Sequence, residues 1–281
     1  MIIWIASYPK SGNTWVRSFL SAYFMTDDGD FKIGNLDYIQ DYPNQHFFDK
    51  KIIEKGEVYK YWEKSQKKNF EKNKVKFLKT HNALISIKNH EFTYPKYVLG
   101  IIHVVRDPRN IITSLKNHLA FTTYDECLKF MKNDKAYAFE KQNNSYAKFN
   151  YLSSWKSHYK SWINNNQYKL LTVRYEDLES DTYNTFRDMV VFINTICKFN
   201  KRVDNRKIIK AIESTSFEKM KKFEENGSFK ENKYKKNSKE KIKFFYLGNK
   251  NNWKNLLNNE IKDNMNKYYK EDLIKFEYEK D

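Results

Sequence analysis

The first fifteen residues constrain this chain most. Residues 2–6 form an uninterrupted apolar run, Ile-Ile-Trp-Ile-Ala. Residues 7–15 break into Ser-Tyr-Pro-Lys-Ser-Gly-Asn-Thr-Trp, and residues 16–24 carry the spacing of an amphipathic helix. The pattern is strand, tight turn, helix. The turn holds a lysine, a glycine and three small polar residues. Backbone N–H groups at a helix start, with hydroxyls beside them, make a site for a phosphate-like anion. Lys10, Ser11, Gly12, Asn13 and Thr14 are therefore the first candidate binding residues. The order differs from a Walker A loop, in which the lysine follows the second glycine.

The rest of the chain repeats the theme. Residues 97–105 are a nearly continuous Val/Leu/Ile run, which suits a strand covered on both faces, and Arg106 follows. Asp107-Pro108 then marks a helix start, with 109–119 helical. Residues 75–78 are a short apolar run ending in Lys79-Thr80-His81, and 169–173 another ending in Arg174-Tyr175. Helices are expected over 58–70, 124–131, 147–163, 182–197, 205–213, 216–225 and 260–269. Strands alternating with helices predict an α/β fold of three layers, a mostly parallel central sheet with helices on both faces. In such sheets ligands bind beyond the carboxyl ends of the strands. Four candidate strands ending in reactive polar residues point to one anion site along one edge.

No repeat and no linker divides the chain, so a single domain over 1–281 is expected. Within it, 26–57 reads as a long substrate-side loop and 226–243 as a mobile, Lys- and Asn-rich loop. The rings between Phe31 and Phe48 either wall an apolar acceptor or pack beneath that first loop. The formal charge of +17 raises nucleic acid or an anionic ligand as partner. Only seven of the 52 basic residues are arginine, and the lysines are scattered without a compact block. That spread favours solvated faces over a nucleic-acid surface. Cys127 and Cys197 form no CxxC pair, and the six histidines lack metal-ligand spacing. The expectation is a cytoplasmic protein with no metal and no membrane span.

Six segments now carry a resemblance. YPKSGNTW at 8–15 resembles the phosphosulfate loop of the cytosolic sulfotransferases. RDPRNIITS at 106–114 is similar to their second signature, in which an arginine at a strand end and a serine eight residues on hold the nucleotide's 3′-phosphate. KTH at 79–81 resembles the strand that ends in the catalytic histidine. RYEDL at 174–178 is similar to the motif whose tyrosine approaches adenine. TSFEKM at 215–220 and GNKNNWKN at 248–255 resemble the base-binding and C-terminal segments.

The resemblance implies a P-loop nucleotide-kinase-like fold that uses 3′-phosphoadenosine 5′-phosphosulfate (PAPS) without a metal. The sulfuryl group would pass in line to a small-molecule hydroxyl or amine. It assigns Lys10, His81, Lys79 and Ser114 to catalysis. It assigns Lys10, Ser11, Gly12, Asn13, Thr14, Trp15, Arg106, Ser114, Tyr175, Thr215, Phe217, Gly248 and Lys250 to the nucleotide.

The sequence departs from the family in three places. Tyr246-Leu247 stand where Arg-Lys is usual, with Lys243 and Lys250 as possible substitutes. Asn13 replaces a threonine, and the family's dimerisation stretch is unmatched around 254–260, so a family-type dimer is not implied.

Read from residue types alone, each of these positions also has a structural explanation. His81 is either a satisfied structural histidine or a base suited to neutral pH. Arg106 either pairs with Asp107 or Glu176, or grips a phosphate bidentately. Arg109, nearer the helix start, reads as a surface residue. Trp15, Tyr175 and Phe217 are core aromatics or faces for a base. An ATP-dependent small-molecule kinase and a basic nucleic-acid-binding protein are the rival functions.

Overall fold

The computed structural model describes residues 1–69, 74–231, 233–234 and 241–280. Its strands, in chain order, are β1 (Ile2–Ser7), β2 (Gln40–Asp41), β3 (Lys76–Thr80), β4 (Ser86–Ile87), β5 (His90–Glu91), β6 (Val98–Val105), β7 (Tyr137–Gln142), β8 (Ser145–Tyr151), β9 (Leu170–Arg174), β10 (Lys233–Tyr234) and β11 (Lys241–Ile242). The helices are α1 (Asn13–Met25), α2 (Trp62–Asn69), α3 (Pro108–His118), α4 (Tyr124–Lys132), α5 (Trp155–Ile163), α6 (Tyr175–Ser180), α7 (Thr182–Cys197), α8 (Asn205–Ser214), α9 (Phe217–Glu225), α10 (Trp253–Leu256) and α11 (Asn259–Lys275).

Five strands make one parallel sheet in the order β2-β3-β1-β6-β9. The strand at its centre explains the opening apolar run. Ile3 and Ile5 face a core shared with Val16 and Phe19 of α1 and with Phe186, Met189 and Ile193 of α7. Ile2, Trp4 and Ala6 face the other way, onto Tyr42, Trp62, Phe92 and Trp162. Successive side chains alternate across a strand, so a strand covered on both faces must be apolar at every position. A third core joins α3, α4, α5 and α11 through Ile112, Leu128, Trp155, Met265 and Tyr269. Helices thus cover both faces of the sheet, and all four expected strands lie in it.

Three local expectations need revision. Residues 147–163 are not one helix: β8 and α5 meet across residues 152–154, and β8 pairs antiparallel with β7 in a hairpin. The buried positions along β8 alternate at Ser145, Ala147 and Phe149, a strand period rather than a helical one. Asn143 and Asn144 at the turn have φ of 47° and 58°, the left-handed geometry that a tight hairpin demands and asparagine tolerates. Segment 26–57 contains two short 3₁₀ helices (Ile33–Tyr38 and Gln45–Phe47) as well as β2, which pairs with β3 as an edge strand. Its rings Phe31, Phe47 and Phe48 pack into the cores, while Tyr42 of the same stretch, with Asp41, lines the cavity at the carboxyl edge of the sheet. Residues 232 and 235–240 of the expected loop 226–243 lie outside the described residues; nearby, Phe229 is buried and β10 pairs with β11.

Candidate active site at the carboxyl edge of the sheet

The ends of β1, β3, β6 and β9 converge on a cavity of about 820 Å³. In β1 and β6 the buried apolar run stops where the backbone leaves the sheet, and in all four strands the next residues turn into the space above it.

The turn after β1 is tightly shaped. Lys10 has φ 67° and Gly12 φ 99°, both left-handed. A Cβ at Gly12 would sit 2.4 Å from Tyr175 Cδ2, so glycine is needed for both the conformation and the close approach. Arg106 Nη1 donates to the Lys10 carbonyl at 3.2 Å and so holds the strained residue. The Lys10 ammonium donates to the Phe244 carbonyl at 3.3 Å and lies 3.8 Å from the centre of that ring. Asn13 Nδ2 donates to the Ile5 carbonyl (3.1 Å) and to Ser7 Oγ (3.0 Å), tying the helix start to β1.

His81 follows β3. Its Nδ1 lies 2.8 Å from the Ser7 carbonyl oxygen and 3.3 Å from Ser7 Oγ. A carbonyl only accepts, so Nδ1 carries the proton and Nε2 keeps the lone pair. Burial first, and then the nearby Lys79 ammonium, hold the imidazole well below its usual pKa of 6.5, outweighing the bond to Ser7. A neutral ring with a free Nε2 is the form a proton acceptor needs. Lys79 itself pairs with Asp41 at 2.8 Å, directly across the β2–β3 register.

Arg106 projects from the end of β6 with its guanidinium carbon 3.8 Å from the centre of the Tyr175 ring. It does not pair with Asp107. That carboxylate is taken by Arg109, which is fully buried rather than at the surface. Arg109 reaches Asp107, Asn266 and Glu279 and stacks 4.0 Å over Trp253. Arg109 is a structural clamp between α3 and the C-terminal segment.

The cavity also takes in Gly12, Asn13, Thr14, Trp15, Ser114, Thr215, Phe217 and Gly248. A Cβ at Gly248 would meet the Phe217 ring at 2.6 Å, so glycine there lets that ring lie against the backbone. Two expected residues are not on the wall. Ser11 is buried beneath the turn, and Lys250 is exposed outside the lining. Asn251 is on the wall instead, donating to the Asn110 carbonyl at 3.0 Å and bonded to Thr113.

Among the described residues, no partner reaches Ser11 Oγ, Trp15 Nε1 or Arg106 Nε, although all three atoms are buried. A buried polar atom left unpaired costs about 1–3 kcal/mol. Trp15 and Arg106 are on the cavity wall, and unpaired atoms there fit a site that a polar ligand completes. No group of three or more His, Cys, Asp or Glu side chains is placed to hold a metal among the described residues. Nor is any helix there long and apolar enough to cross a membrane.

Comparison with known proteins settles the lineage. Residues 2–277 match the sulfotransferase domain. The chain belongs to the sulfotransferase domain family. A relative is the luciferin sulfotransferase of Photinus pyralis, 25% identical over 226 residues. That match covers 77% of this chain but 56% of the firefly protein, so the chain spans little more than half of that relative's length. Among solved structures, a mouse sulfotransferase complexed with PAP superposes with a TM-score of 0.60 at 19% identity, covering 97% of this chain and 84% of that one. Retinol dehydratase in complex with androsterone and inactive cofactor PAP gives 0.55 at 17% identity, covering 97% and 80%. The three-layer parallel fold read from the sequence is the fold of these sulfotransferases.

Sequence reasoning missed four charged residues that also line the cavity: Asp41, Glu140, Lys148 and Glu231. No motif marks them. The signal that was present is the strand alternation of 145–151, which places Lys148 and Asn150 on one face.

Proposed function

We propose that the protein transfers a sulfuryl group from PAPS to the hydroxyl of a small molecule and releases 3′-phosphoadenosine 5′-phosphate (PAP). The observation that carries this reading is the meeting of the Lys10 turn, His81, Arg106 and Ser114 in one cavity of a sulfotransferase-family chain. PAPS supplies a sulfuryl group activated by its bond to phosphate. The α1 N-terminus with Thr14 would hold the 5′ end, and Arg106 with Ser114 the 3′-phosphate, while Trp15 and Phe217 flank the base and Tyr175 and Thr215 close around it.

His81 Nε2 takes the proton of the attacking hydroxyl. The new bond forms between that oxygen and sulfur as the sulfur–phosphate oxygen bond breaks. The Lys10 ammonium neutralises the negative charge left on the departing oxygen, and Lys79 adds positive field on the same side. Asn251 lies on the wall beside Tyr246-Leu247, where the family's basic pair is lost, and Lys250 does not.

We also propose that residues 1–281 work as one domain in a reducing, cytoplasmic setting, in keeping with two free cysteines. The test is transfer of labelled sulfate from PAPS by the wild type, Lys10→Ala and His81→Ala. Equal rates in all three would remove the mechanism. Calorimetry with PAP against ATP–Mg checks the nucleotide, and tighter binding of ATP would move the assignment to a kinase.

A further inference from the structure

The part of the cavity wall around Asp41 and Lys79, next to His81, is charged, and its charges are already paired with one another. Asp41 forms an ion pair with Lys79 at 2.8 Å and lies 3.5 Å from Lys148. Lys148 also reaches Glu140 at 2.8 Å. Glu231 is held by the buried Arg17 at 2.6 Å, and Arg17 in turn donates to the carbonyls of Ile39 and Leu36 beside β2. Burial alone would raise the pKa of Asp41 and Glu231. Lys79, Arg17 and Lys148 outweigh it at Asp41, and Arg17 with Lys79 at Glu231, so both stay ionised. Asp41, Lys79, Glu140, Lys148 and Glu231 all line the cavity, as does Asn150, whose buried Oδ1 meets no partner among the described residues. Arg17, Lys79 and Lys148 balance Asp41, Glu140 and Glu231, three positive charges against three negative.

Resting on the sulfotransferase reading, we propose that this wall selects a neutral, polyhydroxylated acceptor such as a glycoside or a cyclitol. The argument is one of matching. A flat apolar phenol pressed onto this network would strip water from the five charged groups on the wall and return no hydrogen bond. A cationic amine would compete with Arg17 and Lys79 for their carboxylates, and an anion would meet Glu140 and Glu231. A hydroxyl both donates and accepts, so a polyol can donate to the carboxylates and Asn150 Oδ1 while accepting from the lysines. Phe139, on the same wall and partly exposed, offers an apolar face for the C–H side of such a ring. A site built to hydrogen-bond hydroxyls discriminates strongly against analogues that lack them.

The experiment is sulfate transfer from PAPS to methyl glycosides and myo-inositol, to 2-naphthol and 4-nitrophenol, and to octylamine. It is run on wild type, Asn150→Leu and Glu140→Gln, with PAP binding by wild type measured separately. The expected result is that a polyol has the highest kcat/KM. The polyol-to-phenol ratio then falls by about tenfold in each variant, the size of one lost hydrogen bond. A phenol or amine as the best wild-type acceptor would overturn the proposal. So would an unchanged ratio in both folded variants, or PAP binding with no transfer to any polyol. Failure of wild type to bind PAP would instead sink the nucleotide assignment beneath it, and the acceptor proposal with it.

Discussion

The guanidinium of Arg106 lies over the ring of Tyr175, 3.8 Å from its centre, while the edge of that ring closes on Gly12. One aromatic side chain thus fixes both the arginine at the end of β6 and the turn at the end of β1. Arginine's planar fork suits that stack and a phosphate together, and a lysine suits neither as well. Arg106→Lys should therefore weaken PAP binding by about 10- to 100-fold, the value of charged hydrogen bonds, with the melting temperature nearly unchanged. Isothermal calorimetry on the two proteins checks it, and equal affinities would remove Arg106 from the nucleotide site.

Gly12→Ala tests the other side of the ring. The new methyl would start 2.4 Å from Tyr175 at a residue with φ 99°. Either the ring moves or the turn does. Left-handed strain and overpacking together should cost about 2–3 kcal/mol, read from denaturant titration. PAP affinity should fall as well, because the displaced ring takes Arg106 with it.

The contrast between Arg106 and Arg109 also shows how far the sequence could be read. Both arginines sit in one motif, and only their partners separate them: Arg106 faces the cavity, while Arg109 is used up by Asp107, Glu279 and Trp253. Those partners lie up to 170 positions away, beyond any local pattern. The apolar runs of β1 and β6 were legible because burial on both faces leaves a one-dimensional signature. The two-residue strand β2 was not, since its membership of the sheet depends on pairing with β3. The charged wall was invisible for the same reason, being assembled from α1, β2, β3, the β7–β8 hairpin and residue 231. Asn143-Asn144 was a readable turn signal, and the aromatics after it at 146, 149 and 151 suit a strand, but the expected helix carried the stretch from Trp155 onward back over them.

Arg109→Ala should act on stability alone. It leaves the Asp107 carboxylate buried without its counter-charge, which typically costs about 3–5 kcal/mol. Arg106→Ala should cost far less stability and much more PAP affinity. Paired thermal melts and calorimetry give opposite orders for the two variants, and the same order in both assays would merge their roles.

Glu176 supplies a pH test. It accepts from the Asp107 N–H at 3.0 Å, and burial pushes its carboxyl up to about 7 from an ordinary 4.5, against that bond and the nearby Arg106. The folded state thus prefers the protonated form. Its contribution to stability is complete below pH 4.5 and is lost as pH rises through about 7. Glu176→Gln, which mimics the protonated side chain, should be more stable than wild type at pH 8 by up to about 3 kcal/mol. The two should converge near pH 4.5. Parallel curves across that range would refute the assignment.

The pH dependence of turnover should run the other way, through His81. Burial and the Lys79 ammonium depress its pKa below 6.5, so the base is neutral throughout the physiological range. Activity should therefore be flat from pH 7 downward until an acidic limb that lies below pH 6.5. Replacing Lys79 with methionine removes the repulsive neighbour and should move that limb to higher pH, toward the ordinary imidazole value. Removing the ring itself, in His81→Ala, should abolish the limb and lower kcat/KM by about 10²- to 10⁴-fold, the usual worth of a positioned base. The readout is kcat/KM against pH with saturating PAPS. A limb that stays put in Lys79→Met would mean that a different group titrates. A limb that survives in His81→Ala would show that the proton of the acceptor hydroxyl goes elsewhere.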